Sequence, residues 1–152
     1  MDWAKKDNPV EDTVRVVRKL IAGYMKGEDY TLGVWKNGRL VAGTGFHMRC
    51  GPASWKVAEI GMWVRGDCSG AGLGTKILGH LLDWGFSEWG WERLIWKCET
   101  LNLASARVAE KCGMTREATF RSDAVGADGN RRDTHQYAIL RSEWEAQRSI
   151  AR

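Results

Sequence analysis

Residues Ser69-Gly70-Ala71-Gly72-Leu73-Gly74-Thr75 lie between an apolar run, Val57 to Val64, and an amphipathic one, Leu73 to Trp89. The first run reads as a strand and the second as a helix, so the chain must turn sharply from one into the other. Glycine allows backbone conformations that other residues avoid, and it lets the main chain come close to a ligand. The first N–H groups of the helix have no partner within it, and the helix dipole adds positive potential at the same place. Such a turn is either an ordinary tight connection or a site for an anion, with phosphate the natural guest.

Spacing excludes the two commonest phosphate loops. The nucleoside-triphosphate loop ends in Lys followed by Ser or Thr, whereas here Thr75 precedes Lys76. The dinucleotide fingerprint needs G-x-G-x-x-G, and Gly70-Ala71-Gly72-Leu73-Gly74 is tighter.

The 152 residues suffice for one domain with a real core, so residues 1–152 are expected to form a single domain. Hydrophobic residues at 43% and charged residues at 28% are those of a soluble globular chain. No apolar run has the length of a membrane span, and Met1-Asp2-Trp3-Ala4-Lys5-Lys6-Asp7 lacks a signal-peptide core. The expectation is a cytoplasmic protein with no membrane partner. Cys50, Cys68, Cys98 and Cys112 are widely spaced, and His47, His80 and His135 are scattered, which points to reduced thiols and no metal site. The net charge of +4 is dispersed rather than striped, which favours a small anionic ligand over nucleic acid. Nine tryptophans exceed what a core needs, and Trp3, Trp35 and Trp55 are candidates for a cleft or a subunit interface.

Periodicity predicts a helix over Glu11–Lys26, with Val14, Val17, Leu20, Ile21 and Tyr24 on one face and Asp7 or Asn8 before Pro9 as its cap. Strands are predicted at Tyr30–Lys36 and Arg39–Arg49, joined by the hairpin signal Asn37-Gly38. Trp55–Val64 is a third strand, Leu73–Trp89 a helix, and Glu92–Glu99 a fourth strand. A short helix, Ala104–Cys112, ends at Gly113. Strands Met114–Val125 and Thr134–Leu140 flank the loop Gly126 to Asn130. This order predicts an α/β (α+β) layer fold, with a mixed, mostly antiparallel central sheet and helices on its faces.

Four stretches, in order, resemble the GNAT superfamily of N-acetyltransferases, and its ribosomal-protein (RimJ/RimL-like) branch in particular. They are Ala58-Glu59-Ile60-Gly61-Met62-Trp63-Val64, the loop Gly70 to Thr75, Asn102 through Met114 with its N-x-x-S-x-x-V-x-E-K-x-G pattern, and Asp133 through Trp144. The resemblance covers residues 58 to 144. It departs from the family at Ser69, where Arg or Gln is usual, at Met114, where an aromatic is usual, and at Ala109, where many members carry a Tyr acid. A strand and helix that the family places at the start are not evident: either the chain is naturally short, or its open edge is covered by a partner chain.

The resemblance implies acetyl-CoA as co-substrate. Ser69, Gly70, Ala71, Gly72, Leu73, Gly74 and Thr75 would hold its pyrophosphate. The pantetheine arm would run along Met62, Trp63 and Val64, in a V between this strand and Glu92–Glu99, with Asn102 holding the arm or a water. Glu59 would deprotonate the acceptor amine, Ser105 would protonate the departing thiolate, and a strand N–H such as that of Trp63 would meet the oxyanion. Asp123 and Asp133 are candidates for gripping a cationic acceptor, in a Trp-lined cleft between the first helix and the Asp123–Asp133 hairpin. Each has a plainer reading: Glu59 as a surface carboxylate, Ser105 as a helix cap, the two aspartates as solvated loop residues. The expected activity is acetyl transfer to a primary amine, a protein N-terminus or a small molecule, by a homodimer. The alternative is a non-catalytic acyl-CoA-binding module of the same fold.

Overall fold

Helix α1, Val10–Lys26, opens with Glu11 and Asp12 and closes with Lys26, which complements its dipole at both ends. The computed structural model describes residues 10–126 and 128–150. The expectations for Trp3 and for a cap at Asp7 or Asn8 lie outside the described residues. Along α1 the predicted apolar face is divided. Leu20, with Val16, faces a cavity over the sheet, and Gly23 packs on Asp29. Val14, Val17, Ile21 and Tyr24 instead remain 41–58% exposed.

Strands β1, Asp29–Lys36, and β2, Arg39–His47, form the hairpin predicted from Asn37-Gly38, both of which have positive φ. That is the backbone a two-residue hairpin loop requires. Strand β3, Val57–Val64, pairs antiparallel with β2. It starts two residues later than predicted because Ala53–Trp55 makes a 3-10 turn closed by Lys56 at φ 53°. Helix α2, Leu73–Ser87, crosses over to β4, Arg93–Glu99, which pairs parallel with β3. Helix α3 is Leu103–Lys111, and β5, Thr115–Val125, and β6, Arg131–Leu140, complete a six-stranded sheet in the order β1-β2-β3-β4-β6-β5. The sheet is mixed and mostly antiparallel, as the element order predicts.

Alternation along the strands gives the sheet two unlike faces. One carries Phe46, Ile60, Leu94, Tyr137 and Ile139 into a core with Leu78 and Phe86 of α2 and Ala109 of α3, all fully or almost fully buried. The other carries His47, Glu59, Gly61 and Trp63, and α1 reaches it through Val16 and Leu20. The sequence reading missed the last helix, α4, Arg141–Ile150. Two groups anchor it: Trp144 Nε1 donates to Asp83 of α2 at 2.8 Å, and Arg141 donates to the Trp91 carbonyl at 2.8 Å.

Candidate active site

Pairing between β3 and β4 ends at Ile60 and Trp96, although β3 runs on to Val64 and β4 to Glu99. Beyond that rung each strand is paired only on its outer side, β3 to β2 and β4 to β6. The strands therefore part into a V, and a cavity of about 670 Å³ occupies it. The walls include Gly61, Met62 and Trp63 from β3, Lys97, Cys98 and Glu99 from β4, and Asn102 and Ser105 at the start of α3. A groove between two strands that no longer pair with each other suits an amide-rich ligand, which can exchange hydrogen bonds with strand backbone as a further strand would.

Glu59 lies on the cavity wall with its side chain 14% exposed, 3.5 Å from Arg49 Nη1 and 3.7 Å from Lys97 Nζ. It is not a solvated surface carboxylate. Ser105 is not the cap of α3: Asn102 is, its Oδ1 accepting the Ser105 N–H at 3.1 Å. The Ser105 hydroxyl accepts from the Trp96 indole at 3.0 Å, which leaves its own proton to donate elsewhere. It also touches Cys98, whose thiol burial pushes up and that hydrogen bond draws down.

The glycine turn has the form expected of an anion site. Gly70 and Gly72 sit at φ 83° and 78°, in the left-handed region, and a Cβ on either would meet nothing within 4 Å. Gly72 caps α2 without a side-chain hydrogen bond, and the first turn carries no acidic residue. Leu73, Gly74 and Thr75 thus present helix-start amides that no side chain satisfies. Ser69 spends its hydroxyl on the Gly66 carbonyl at 2.7 Å, bracing the turn. Gly74 lets α2 approach α3, because a Cβ there would already touch Val108 at 3.4 Å.

Other predicted positions lie elsewhere. Asp123 and Asp133 are outside this cavity, and the Asp133 carboxylate accepts from the Ser122 N–H at 2.8 Å, holding a bulge of β5. Trp35 and Trp55 are exposed and do not line the cavity; its indoles are Trp63 and Trp96. The sequence reading overlooked Asp29, His47 and Arg49. His47 Nδ1 stands 2.5 Å from Asp29 Oδ1, and Arg49 Nη2 is 3.7 Å from the other oxygen of Asp29. A histidine at the end of a strand on the same face as Glu59 was the available signal.

The acetyltransferase (GNAT) domain family matches residues 1–115, and the chain belongs to that family. The N-acetyltransferase YnaD of Bacillus subtilis (strain 168) is 33% identical over 86 residues, which are 57% of this chain and 50% of that protein. The chain spans about half the length of the curated relatives it matches. Among solved structures, RimL, the ribosomal L7/L12 α-N-protein acetyltransferase in complex with coenzyme A, has a TM-score of 0.80 at 23% identity, covering 92% of this chain and 77% of that one. The microcin C7 self-immunity acetyltransferase MccE, in complex with acetyl-CoA and AMP, has a TM-score of 0.76 at 22% identity, covering 88% and 72%. These likenesses are of fold, and they bear out the predicted RimJ/RimL-type architecture.

Proposed function

We propose that this chain transfers an acetyl group from acetyl-CoA to a primary amine, the amine of a protein N-terminus or of a small molecule. The observation that carries this reading is the V: strands parting at Ile60 and Trp96 over a cavity with Glu59 and Ser105 on its walls. Structural relatives solved with coenzyme A and with acetyl-CoA support the choice of co-substrate. In this reading the turn from Ser69 to Thr75 holds the pyrophosphate, and Met62, Trp63, Val64 and Asn102 hold the pantetheine arm. Glu59 acts in deprotonating the acceptor ammonium, Ser105 protonates the leaving thiolate, and a strand N–H meets the oxyanion. Four free cysteines suit a reducing, cytoplasmic setting. Among the described residues no helix is long and apolar enough to cross a membrane.

The test is thiol release from acetyl-CoA with four acceptor classes: peptide amides with a free N-terminus, free amino acids, spermidine and kanamycin. Acceptor-dependent release with at least one class is expected. Tight acetyl-CoA binding with no such release would favour the non-catalytic module instead.

We also infer a homodimer. Val10, Val14, Val17 and Ile21 form an apolar stripe on α1, each at least 41% exposed, and a second copy of the same stripe would cover it. Light scattering should give twice the chain mass at micromolar concentration, and Ile21→Glu should return it to the monomer mass.

A further inference from the structure

We propose that His47, held by Asp29, takes the proton from the acceptor ammonium, so that a carboxylate–imidazole dyad on β1 and β2 works beside Glu59. The inference rests on the acetyl-transfer reading and divides the labour within it.

The geometry selects one ring nitrogen. Asp29 Oδ1 lies 2.5 Å from His47 Nδ1 and also accepts from Thr31 Oγ1 at 3.1 Å. An ionised carboxylate only accepts hydrogen bonds, so Nδ1 carries the hydrogen and Nε2 keeps its lone pair in the neutral ring. Nε2 lies over Gly61, where a Cβ would come within 2.6 Å of it. Gly61 is the first residue past the last β3–β4 rung, so the lone pair sits where the V opens. The two side chains are 11% and 19% exposed, yet His47 lines the cavity.

Glu59 stands directly across from His47 in the β2–β3 register. Its oxygens stand 3.5 Å from Arg49 Nη1 and 3.7 Å from Lys97 Nζ, too far for strong hydrogen bonds, so the carboxylate keeps acceptor sites for an incoming ammonium. The charged groups around His47 are Asp29 from β1, Arg49 after β2, Glu59 from β3 and Lys97 from β4, while α1 presents Val16 and Leu20. Glu59 attracts the cation, and His47 removes the proton.

The step balances as follows. The acceptor enters as an ammonium, an N–H bond breaks, its electron pair stays on nitrogen, and the proton goes to His47 Nε2. Asp29 opposes the imidazolium charge. The amine lone pair forms the C–N bond to the acetyl carbonyl carbon, and the C–S bond breaks with its pair leaving on sulfur. A second amine proton passes to that thiolate through the Ser105 hydroxyl, and His47 returns its proton to solvent. The sum is ammonium plus thioester giving amide, thiol and one proton. His47 is the catalytic residue here, and Asp29 is a positioning residue.

The test uses the full chain and the best acceptor from the four classes above. His47→Gln should lower kcat/KM for the acceptor about a hundredfold or more, the scale of a lost general base. It should also abolish the acidic limb of the pH profile and leave acetyl-CoA affinity within about twofold. Asp29→Asn should lower acceptor kcat/KM about tenfold and loosen the preference for a hydrogen on Nδ1 in the nitrogen NMR spectrum, because the carboxylate that fixes this tautomer is gone. Glu59→Gln should raise the acceptor KM and keep the limb. Nitrogen NMR of the wild-type histidines, which depends on no variant folding, should show the neutral His47 ring protonated at Nδ1. Wild-type rates and an unchanged limb in His47→Gln, or a neutral ring protonated at Nε2, would overturn the dyad alone. Failure of the wild-type protein to acetylate any acceptor would overturn the acetyl-transfer reading and the dyad with it.

Discussion

The turn ahead of α2 and the wall of the cavity both depend on glycine, for opposite reasons. At Gly70 and Gly72 there is open space and an unusual backbone, with φ at 83° and 78°. At Gly43 and Gly61 φ is not in the left-handed region, but there is no space: a Cβ on Gly43 would overlap the Trp63 indole, and one on Gly61 would strike His47. The first pair shapes a main chain that can receive an anion. The second clears the sheet surface so that large side chains lie flat beside the cavity. In one region a side chain is disfavoured by conformation, and in the other by a large neighbouring side chain.

Three substitutions probe this difference. Gly72→Glu adds bulk and negative charge where the pyrophosphate is proposed to sit, and should weaken acetyl-CoA binding at least a hundredfold by calorimetry, about 2.7 kcal/mol or more. Unchanged affinity would move the co-substrate away from this turn. Gly61→Ala should displace the imidazole by an ångström or so and lower acceptor kcat/KM about tenfold to a hundredfold, with acetyl-CoA affinity kept. If that variant lost acetyl-CoA affinity instead, the two regions would not be separable. Gly72→Ala meets no neighbour, so it should cost only the left-handed strain of a residue with a Cβ, about 1–2 kcal/mol. Thermal unfolding should then fall by about 2–8 °C, given about 2–4 °C per kcal/mol for a chain of this size. A much larger fall would mean that the turn is packed rather than open.

The first region was legible in the sequence and the second was not. Clustered glycines between an apolar and an amphipathic run are a local signal, and the strand–turn–helix they predict is present at Val57–Val64 and Leu73–Ser87. The motifs point to Glu59 and Ser105 but not to their surroundings: Arg49 and Lys97 come to Glu59 from different strands or turns, and the Trp96 indole comes to Ser105 from β4. Helix α4 escaped because Arg141–Ile150 buries no residue fully, and its anchors, Asp83 and the Trp91 carbonyl, lie far back in the chain. Of the tryptophans expected at a cleft or a subunit interface, Trp35 and Trp55 do not line the cavity, for a related reason. Nothing local distinguishes exposed Trp35 from Trp63, which folds across Gly43 of the neighbouring strand.

Local chemistry in the sequence determined the hairpin at Asn37-Gly38, the glycine turn, the order of strands and helices, and the motif positions that mark the family. Tertiary structure alone decided which side chains meet. The β1–β2 hairpin shows why. Near its turn Lys36 pairs with Arg39 and Trp35 with Leu40, a register that, continued unbroken, would set Asp29 opposite Phe46. A bulge between Val34 and Trp35 shifts the pairing by one residue, and Asp29 arrives opposite His47. Because side chains alternate between faces, that single shift turns Asp29 from the core side to the cavity side. A bulge is a property of two paired strands rather than of either alone, and Asp29 meets His47 because of it.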